Sequence, residues 1–222
     1  MRLPDNSPTI PTMNPRGFQG SRESGTGGVR NAFSLAVVLL VFLAVLPGCS
    51  PDSPFPEQEI FWDRLQDLCG QAFEGHVMEA PPEDGWWEAE RFVMHVRHCG
   101  PEEVRIPLHV DDDRSRTWVV TRTGEGLRLK HDHRLEDGTP DAANTDYGGD
   151  TRLPGSVWRQ EFPADGFSVE AVPARASQLW YLEIRPEETF VYGLRREETG
   201  LRYRVEFDLT RPVETPPAPW GG

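Results

Sequence analysis

The chain has 222 residues, a length that fits one domain with appendages. Its formal net charge of −13 at pH 7 excludes a nucleic-acid partner, because phosphate binding requires clustered lysine and arginine side chains. Hydrophobic residues make up 37% of the sequence and tryptophan occurs seven times, which is enough to build a core and excludes disorder throughout.

An uncharged, largely apolar segment of fourteen residues, Ala32 to Val45, follows Arg30 near the start of the chain. It is too short to span a bilayer comfortably, but it fits the hydrophobic region of a secretory signal. The next four residues, 46–49, read LPGC. They resemble the lipobox of bacterial lipoproteins, in which a small residue precedes a cysteine whose thiol accepts a diacylglycerol.

This resemblance implies that residues 1–48 are a signal peptide, with either Met1 or Met13 as the true start. Cys49 would carry the lipid, and the proline-rich residues 49–57 would tether the domain to the membrane. Ser50 after the cysteine implies sorting to the outer membrane. We therefore expect a bacterial cell-envelope protein that is held by its lipid and faces the periplasm.

Two further cysteines, Cys69 and Cys99, remain in the mature domain. An even number of cysteines in an oxidising compartment predicts a disulfide, with two buried free thiols as the alternative. The bond would close a loop of about 30 residues and contribute roughly 3–4 kcal/mol to stability in a chain-entropy model.

The segment 56–70, PEQEIFWDRLQDLCG, predicts one amphipathic helix. Ile60, Phe61, Leu65 and Leu68 fall on one stripe, and Gly70 provides a stop signal.

The remaining sequence alternates apolar and polar residues with a period of two between glycine, proline and aspartate turns, which predicts about nine strands. Because no helical pattern separates the strands, we expect a mainly β domain over residues 58–211 rather than a parallel α/β fold. The predicted fold is an antiparallel, lipocalin-like β-barrel with one N-terminal helix, and a jelly-roll sandwich is the alternative. Residues 212–222 are predicted to form a flexible tail.

A hairpin is predicted around the two-residue loop Gly124–Glu125, whose first glycine suits a type II′ turn. The resulting register pairs Trp118 with His131 and Arg116 with His133. Both histidines then lie on the apolar, inner face of the strand.

Three interpretations of this histidine strand remain open. His131 and His133 point to one side, as two ligands of a divalent metal would, with His109, Glu136 or Asp137 as further ligands. Alternatively, Arg116 and His133, together with Arg114, hold a carboxylate or other anion at the barrel mouth. In the third interpretation the histidines serve packing alone. The candidate mouth residues are Arg114, Arg116, Trp118, His131, His133 and Tyr147.

The segment 136–156 is rich in aspartate and glycine and lacks periodicity, which predicts a long functional or mobile loop. Common nucleophile, phosphate-binding and zinc-protease motifs are missing from the sequence. The favoured function is a non-enzymatic envelope protein that binds a small or amphipathic ligand inside the barrel or acts as a structural module, without a cofactor. The alternatives are a metal-dependent enzyme that uses His131 and His133, and a protein-interaction module with an exposed patch at Trp86 and Trp87.

Several segments of the mature domain together resemble an uncharacterised family of bacterial secreted proteins and lipoproteins. The resemblance extends from Leu68 to about Pro212 and implies no catalytic residues in this chain. Its segments are LCGQAFEG, RIPLHVDDDRSRTW, LKHDHRLEDGTPD, YGG and RQEFPAD.

Overall fold

A computed structural model of the chain describes residues 54–222. The predicted signal peptide, 1–48, and the lipid-accepting Cys49 lie outside the described residues. Among residues 54–222, no helix combines the length and hydrophobicity that are needed to cross a bilayer.

Two α-helices and eleven β-strands make up the described part of the chain. The helices are α1 (Pro56–Asp67) and α2 (Gly166–Ala171). The strands are β1 (Ala72–Glu79), β2 (Phe92–His95), β3 (His98–Cys99), β4 (Glu103–Val110), β5 (Asp113–Thr123), β6 (Gly126–His133), β7 (Gly148–Asp150), β8 (Arg159–Pro163), β9 (Gln178–Arg185), β10 (Thr189–Arg196) and β11 (Leu201–Val213).

The strands form one antiparallel sheet in the order β7-β6-β5-β4-β2-β1-β11-β10-β9-β8, and the short β3 pairs with β4. The two end strands meet at a single bridge between Gly149 and Ala164, where the N–H of Asp165 donates to the carbonyl of Gly148 at 3.0 Å. The sheet is therefore a nearly closed barrel, as predicted, and not a two-sheet sandwich.

The helix α1 begins at Pro56, so residues 56 and 57 belong to it rather than to the predicted tether. Phe61, Trp62 and Leu65 are buried, whereas Ile60, which was expected on the same stripe, is 43% exposed. Gln58 holds the helix to the segment before β8 by donating to Leu153 O at 3.1 Å. The helix thus covers one end of the barrel.

The sequence pattern did not predict the short elements. Strands β3 and β7 have two and three residues, too few to show an alternation. The six-residue helix α2 was also missed, although Asp165 caps it by accepting the N–H of Ser168 at 2.8 Å.

The C-terminal residues lie against the outer face of the sheet. Strand β11 runs to Val213, beyond the predicted start of the tail at residue 212. Farther on, Trp220 N–H donates to Arg114 O at 3.1 Å, and the Arg114 side chain donates to Ala218 O at 3.3 Å. We call residues 214–222 the C-terminal strap.

The predicted disulfide between Cys69 and Cys99 is present, with the two Cα atoms 6.2 Å apart. It links the residues after α1 to β3.

Replacing both cysteines by serine should lower the free energy of unfolding by roughly 3–4 kcal/mol, because the unfolded chain regains the entropy of a loop of about 30 residues. Urea denaturation of the oxidised full chain and of the double variant measures the difference. Dithiothreitol is the control, since it should shift the wild-type midpoint to that of the variant and leave the variant unchanged. Equal midpoints for the oxidised wild type and the variant would contradict the prediction.

Candidate functional site

The hairpin of β5 and β6 has the predicted register, with Trp118 opposite His131 and Arg116 opposite His133. The turn differs in type, because Gly126, with φ of 147°, has the positive φ rather than Gly124. A type II′ turn requires a positive φ at its first central residue. The predicted two-residue loop and the register that follows from it are therefore confirmed, whereas the predicted turn type is wrong.

Stacked rings fill the barrel beside His131. The His131 ring lies 4.6 Å from that of Tyr147, which in turn lies 5.6 Å from Trp180, with interplanar angles of 13° and 19°. Across the interior, Trp118 stacks on Tyr192 at 4.3 Å. We call these five side chains the aromatic column.

The space left between the rings of the aromatic column is about 10 Å³. That is room for the centre of one water molecule at most. Trp118, His131 and Tyr147 are therefore brought together as predicted, but as packed interior residues rather than as the walls of a chamber.

His131 is 6% exposed, and its Nδ1 has no hydrogen-bond partner among the described residues. Burial lowers the pKa of His131 to about 3, and the positive charges of His133 and Arg116 act in the same direction. Burial raises the pKa of Tyr147 to about 12. Both side chains are consequently neutral near pH 7, and neither exchanges protons there.

His133 and Arg116 lie beside the column, and each faces a carboxylate. His133 Nδ1 is 3.4 Å from Asp141 Oδ2, and Arg116 pairs with Asp113. The pKa of His133 is lowered, chiefly by burial and then by Arg116. The basic groups at the mouth of the barrel are thus paired with neighbouring carboxylates.

Arg175 joins this group and was missed by the sequence analysis. Its guanidinium lies 4.4 Å from the centre of the Tyr147 ring, in cation–π geometry. The residue ends a three-residue 3₁₀ turn, Pro173–Arg175, far along the chain from the histidine strand. A single arginine in a turn gives no sequence signal of such a contact.

Arg114 and His109 do not join the column. The pairing of β4 with β5 shifts register between Leu108 and Val110, and Arg114 lies in this irregularity. Arg114 contacts the C-terminal strap instead of the barrel mouth, which corrects its predicted position. His109 lies near Arg114, and burial, followed by this arginine, lowers the pKa of His109 to about 4.

Residues 54–222 contain no group of three or more histidine, cysteine, aspartate or glutamate side chains that could hold a metal ion. Of the proposed further ligands, His109 lies with Arg114, and the Asp137 carboxylate accepts hydrogen bonds from Thr139. The structure therefore does not assemble the predicted ligand set around His131 and His133.

The long segment 136–156 contributes to the interior of the barrel. It contains β7 and places Tyr147 in the aromatic column. Both main-chain groups of Gly148 bond to Ser168 Oγ, at 2.7 and 2.9 Å, which fixes the segment on α2. The part of the predicted loop that contains Tyr147 and β7 therefore belongs to the barrel.

The two adjacent tryptophans do not form a common exposed patch. Trp86 packs between Phe92 and Tyr203, with ring centres 5.7 and 5.2 Å away. Trp87 is 48% exposed and donates its indole N–H to Ala80 O at 3.1 Å.

The larger depressions lie on the outside of the barrel. One, of about 560 Å³, has a mainly apolar lining that includes Leu153, Pro163 and Leu179. Another, of about 470 Å³, lies beside the C-terminal strap and is lined by Arg97, Arg105 and other residues. Both volumes fall within the range of small-molecule sites.

Comparison of the chain with protein-family models, with curated proteins and with solved structures finds no match. The proposed function is therefore based on the geometry of the described residues.

The buried His131 makes stability depend on pH. Its pKa falls from 6.5 in the unfolded chain to about 3 in the fold, so unfolding between these values takes up a proton and the free energy of unfolding falls as the pH falls. Replacing His131 by phenylalanine should reduce this slope near pH 5 by about 1.4 kcal/mol per pH unit. Urea denaturation between pH 7 and pH 4.5 measures it.

The matched control is Tyr147→Phe in the same stack, since a phenol whose pKa is raised to about 12 binds no additional proton in this range. The control should keep the wild-type slope. An unchanged slope in His131→Phe would show that His131 is not buried in its neutral form.

Proposed function

We propose that this protein is a non-enzymatic, lipid-anchored module of the bacterial cell envelope that binds a small ligand on the outer surface of a filled barrel. The observation that carries this proposal is the aromatic column, which leaves about 10 Å³ between its rings. A barrel of similar strand number can hold a ligand when its inner side chains are small. Here the inner positions carry large rings, so the expected binding of a ligand inside the barrel is replaced by binding on the outer surface.

The ionisation of the interior supports a non-catalytic role. General acid–base catalysis works best when the pKa of the group lies near the working pH. The pKa of His131 is about 3 and that of Tyr147 about 12, each far from neutrality. The interior histidine and tyrosine therefore serve packing better than proton transfer.

The disulfide supports a location outside the cytoplasm. Bonds such as Cys69–Cys99 persist in the oxidising periplasm and are rare in the reducing cytosol. Together with the LPGC sequence at 46–49, this favours export, lipidation at Cys49 and attachment to the outer membrane on its periplasmic side.

Replacing Cys49 by alanine should abolish incorporation of labelled palmitate and release the protein from the membrane fraction, because the thiol that accepts the lipid is lost. Metabolic labelling followed by membrane fractionation in a Gram-negative host measures both effects. The control is the Cys69→Ser/Cys99→Ser variant, which should retain the label. Palmitate incorporation that persists in Cys49→Ala would refute anchoring at this residue.

A separate prediction tests whether the interior of the barrel is filled. Trp118→Ala should cost about 3–5 kcal/mol of stability and open an apolar cavity in the column. Benzene binds such engineered cavities, so it should raise the melting temperature of this variant and not that of the wild type. Trp87→Ala, which removes an exposed ring, is the control and should not respond. Equal stabilisation of the wild type by benzene would show that the barrel is open inside.

A further inference from the structure

We propose that a pocket on the outer face of β4 and β6 binds a small organic anion that carries carboxylate or phosphate groups. The pocket, which we call the arginine pocket, is lined by Arg97, His98, Arg105, Asp132, Arg134 and the C-terminal strap around Trp220. This inference deepens the proposed function by naming the class of ligand. It rests on the proposed function, because it assumes that the protein binds the ligand without converting it.

Cationic groups outnumber anionic groups in the arginine pocket. Asp132 is shared by two arginines, since it pairs with Arg105 and its Oδ1 lies 2.7 Å from Arg134 Nε. Arg105 also lies 3.4 Å from Glu103. Arg97 is exposed and forms no ion pair with any residue in the described range 54–222. Two of the three guanidinium groups thus pair with carboxylates, whereas Arg97 has no ion-pair partner among residues 54–222.

The side-chain type specifies the chemistry of the ligand. A guanidinium presents several N–H donors in a planar fork that matches the two oxygens of a carboxylate or a phosphate. Because only Arg97 lacks a carboxylate partner, the pocket favours a ligand with at least one carboxylate or phosphate group.

The backbone holds the arginines in place before any ligand arrives. Arg97 N–H donates to Arg105 O at 3.0 Å, which fixes the segment after β2 on β4. Arg134 follows β6, and its N–H donates to Ser115 O at 2.9 Å. A site on hydrogen-bonded strands loses less entropy on binding than a site on a free loop.

The C-terminal strap supplies a less polar wall. Pro219 and Trp220 line the pocket, and the hydrogen bonds between Arg114 and the strap hold this wall in place. The volume of about 470 Å³ is larger than a bare phosphate or acetate requires. A cationic floor beside a proline and an indole ring suits an organic anion with a nonpolar part.

The test uses the full chain, purified from the envelope in a nonionic detergent, with citrate and inorganic phosphate as the probes. Isothermal titration calorimetry at low ionic strength should show saturable binding at one site for citrate, weakening as sodium chloride is added. Arg97→Gln should weaken the binding at least tenfold, because hydrogen bonds to charged groups contribute about 1.5–3 kcal/mol. This variant leaves no carboxylate without its partner.

Arg152→Gln is the matched control. Arg152 is also exposed, has no ion pair within the described residues, and lies outside the arginine pocket. Its variant should bind citrate like the wild type. A second variant, Trp220→Ala, should keep phosphate binding and weaken citrate binding, since it removes only the nonpolar wall. Absence of saturable binding for both probes, or equal losses in Arg97→Gln and Arg152→Gln, would overturn the proposal.

Two sources of the anion are separated in the same experiment. If the pocket takes a lipid headgroup, doping the micelles with phosphatidylglycerol should displace citrate from the wild type. If the natural ligand is a soluble anion, citrate binding should persist in the doped micelles. The Cys49→Ala variant should bind citrate unchanged, so a failure of lipid anchoring and a failure of anion binding are distinguishable.

Discussion

The barrel depends on the close approach of three chain segments at Gly148 and Gly149. A Cβ atom at Gly148 would lie 1.9 Å from Leu129 O, and one at Gly149 would lie 1.8 Å from Pro163 O. No side chain fits at either position, so β7 can lie between β6 and the end of β8 only because both residues are glycine. The bridge from Gly149 to Ala164 then closes the sheet and positions the preceding residue, Tyr147, in the interior.

The two faces of β6 have different surroundings, because the barrel is closed and its interior is packed. His131 points inward and stacks on Tyr147, while Asp132, the next residue, points outward and pairs with Arg105 and Arg134. One strand thus supplies a ring to the filled interior and an anchoring carboxylate to the arginine pocket. Because the interior is occupied by rings, the outer face is where this strand can meet a ligand.

The local sequence pattern was sufficient to predict part of this architecture. The two-residue loop between β5 and β6 predicted the register, the alternation predicted the inward orientation of His131, and the two cysteines predicted the disulfide. The irregularity that turns Arg114 toward the strap has no local signal, since an extra residue in a ladder is visible only when both strands are paired. The arginine pocket was missed for a related reason: its members come from separate strands and from the strap, which strand pairing and the hydrogen bonds of Arg114 bring together.

The placement of Arg97 is the strongest electrostatic argument for a ligand. Its charge contributes to lowering the pKa values of both His95 and His109, which are buried beside it. An uncompensated cation near other arginines and two buried imidazoles disfavours any further positive charge there. The fold does not need Arg97 for an ion pair, yet it holds this residue in a pocket with Arg105 and Arg134. A bound anion would supply the missing counter-charge, and this links the outer face of the barrel to a binding function.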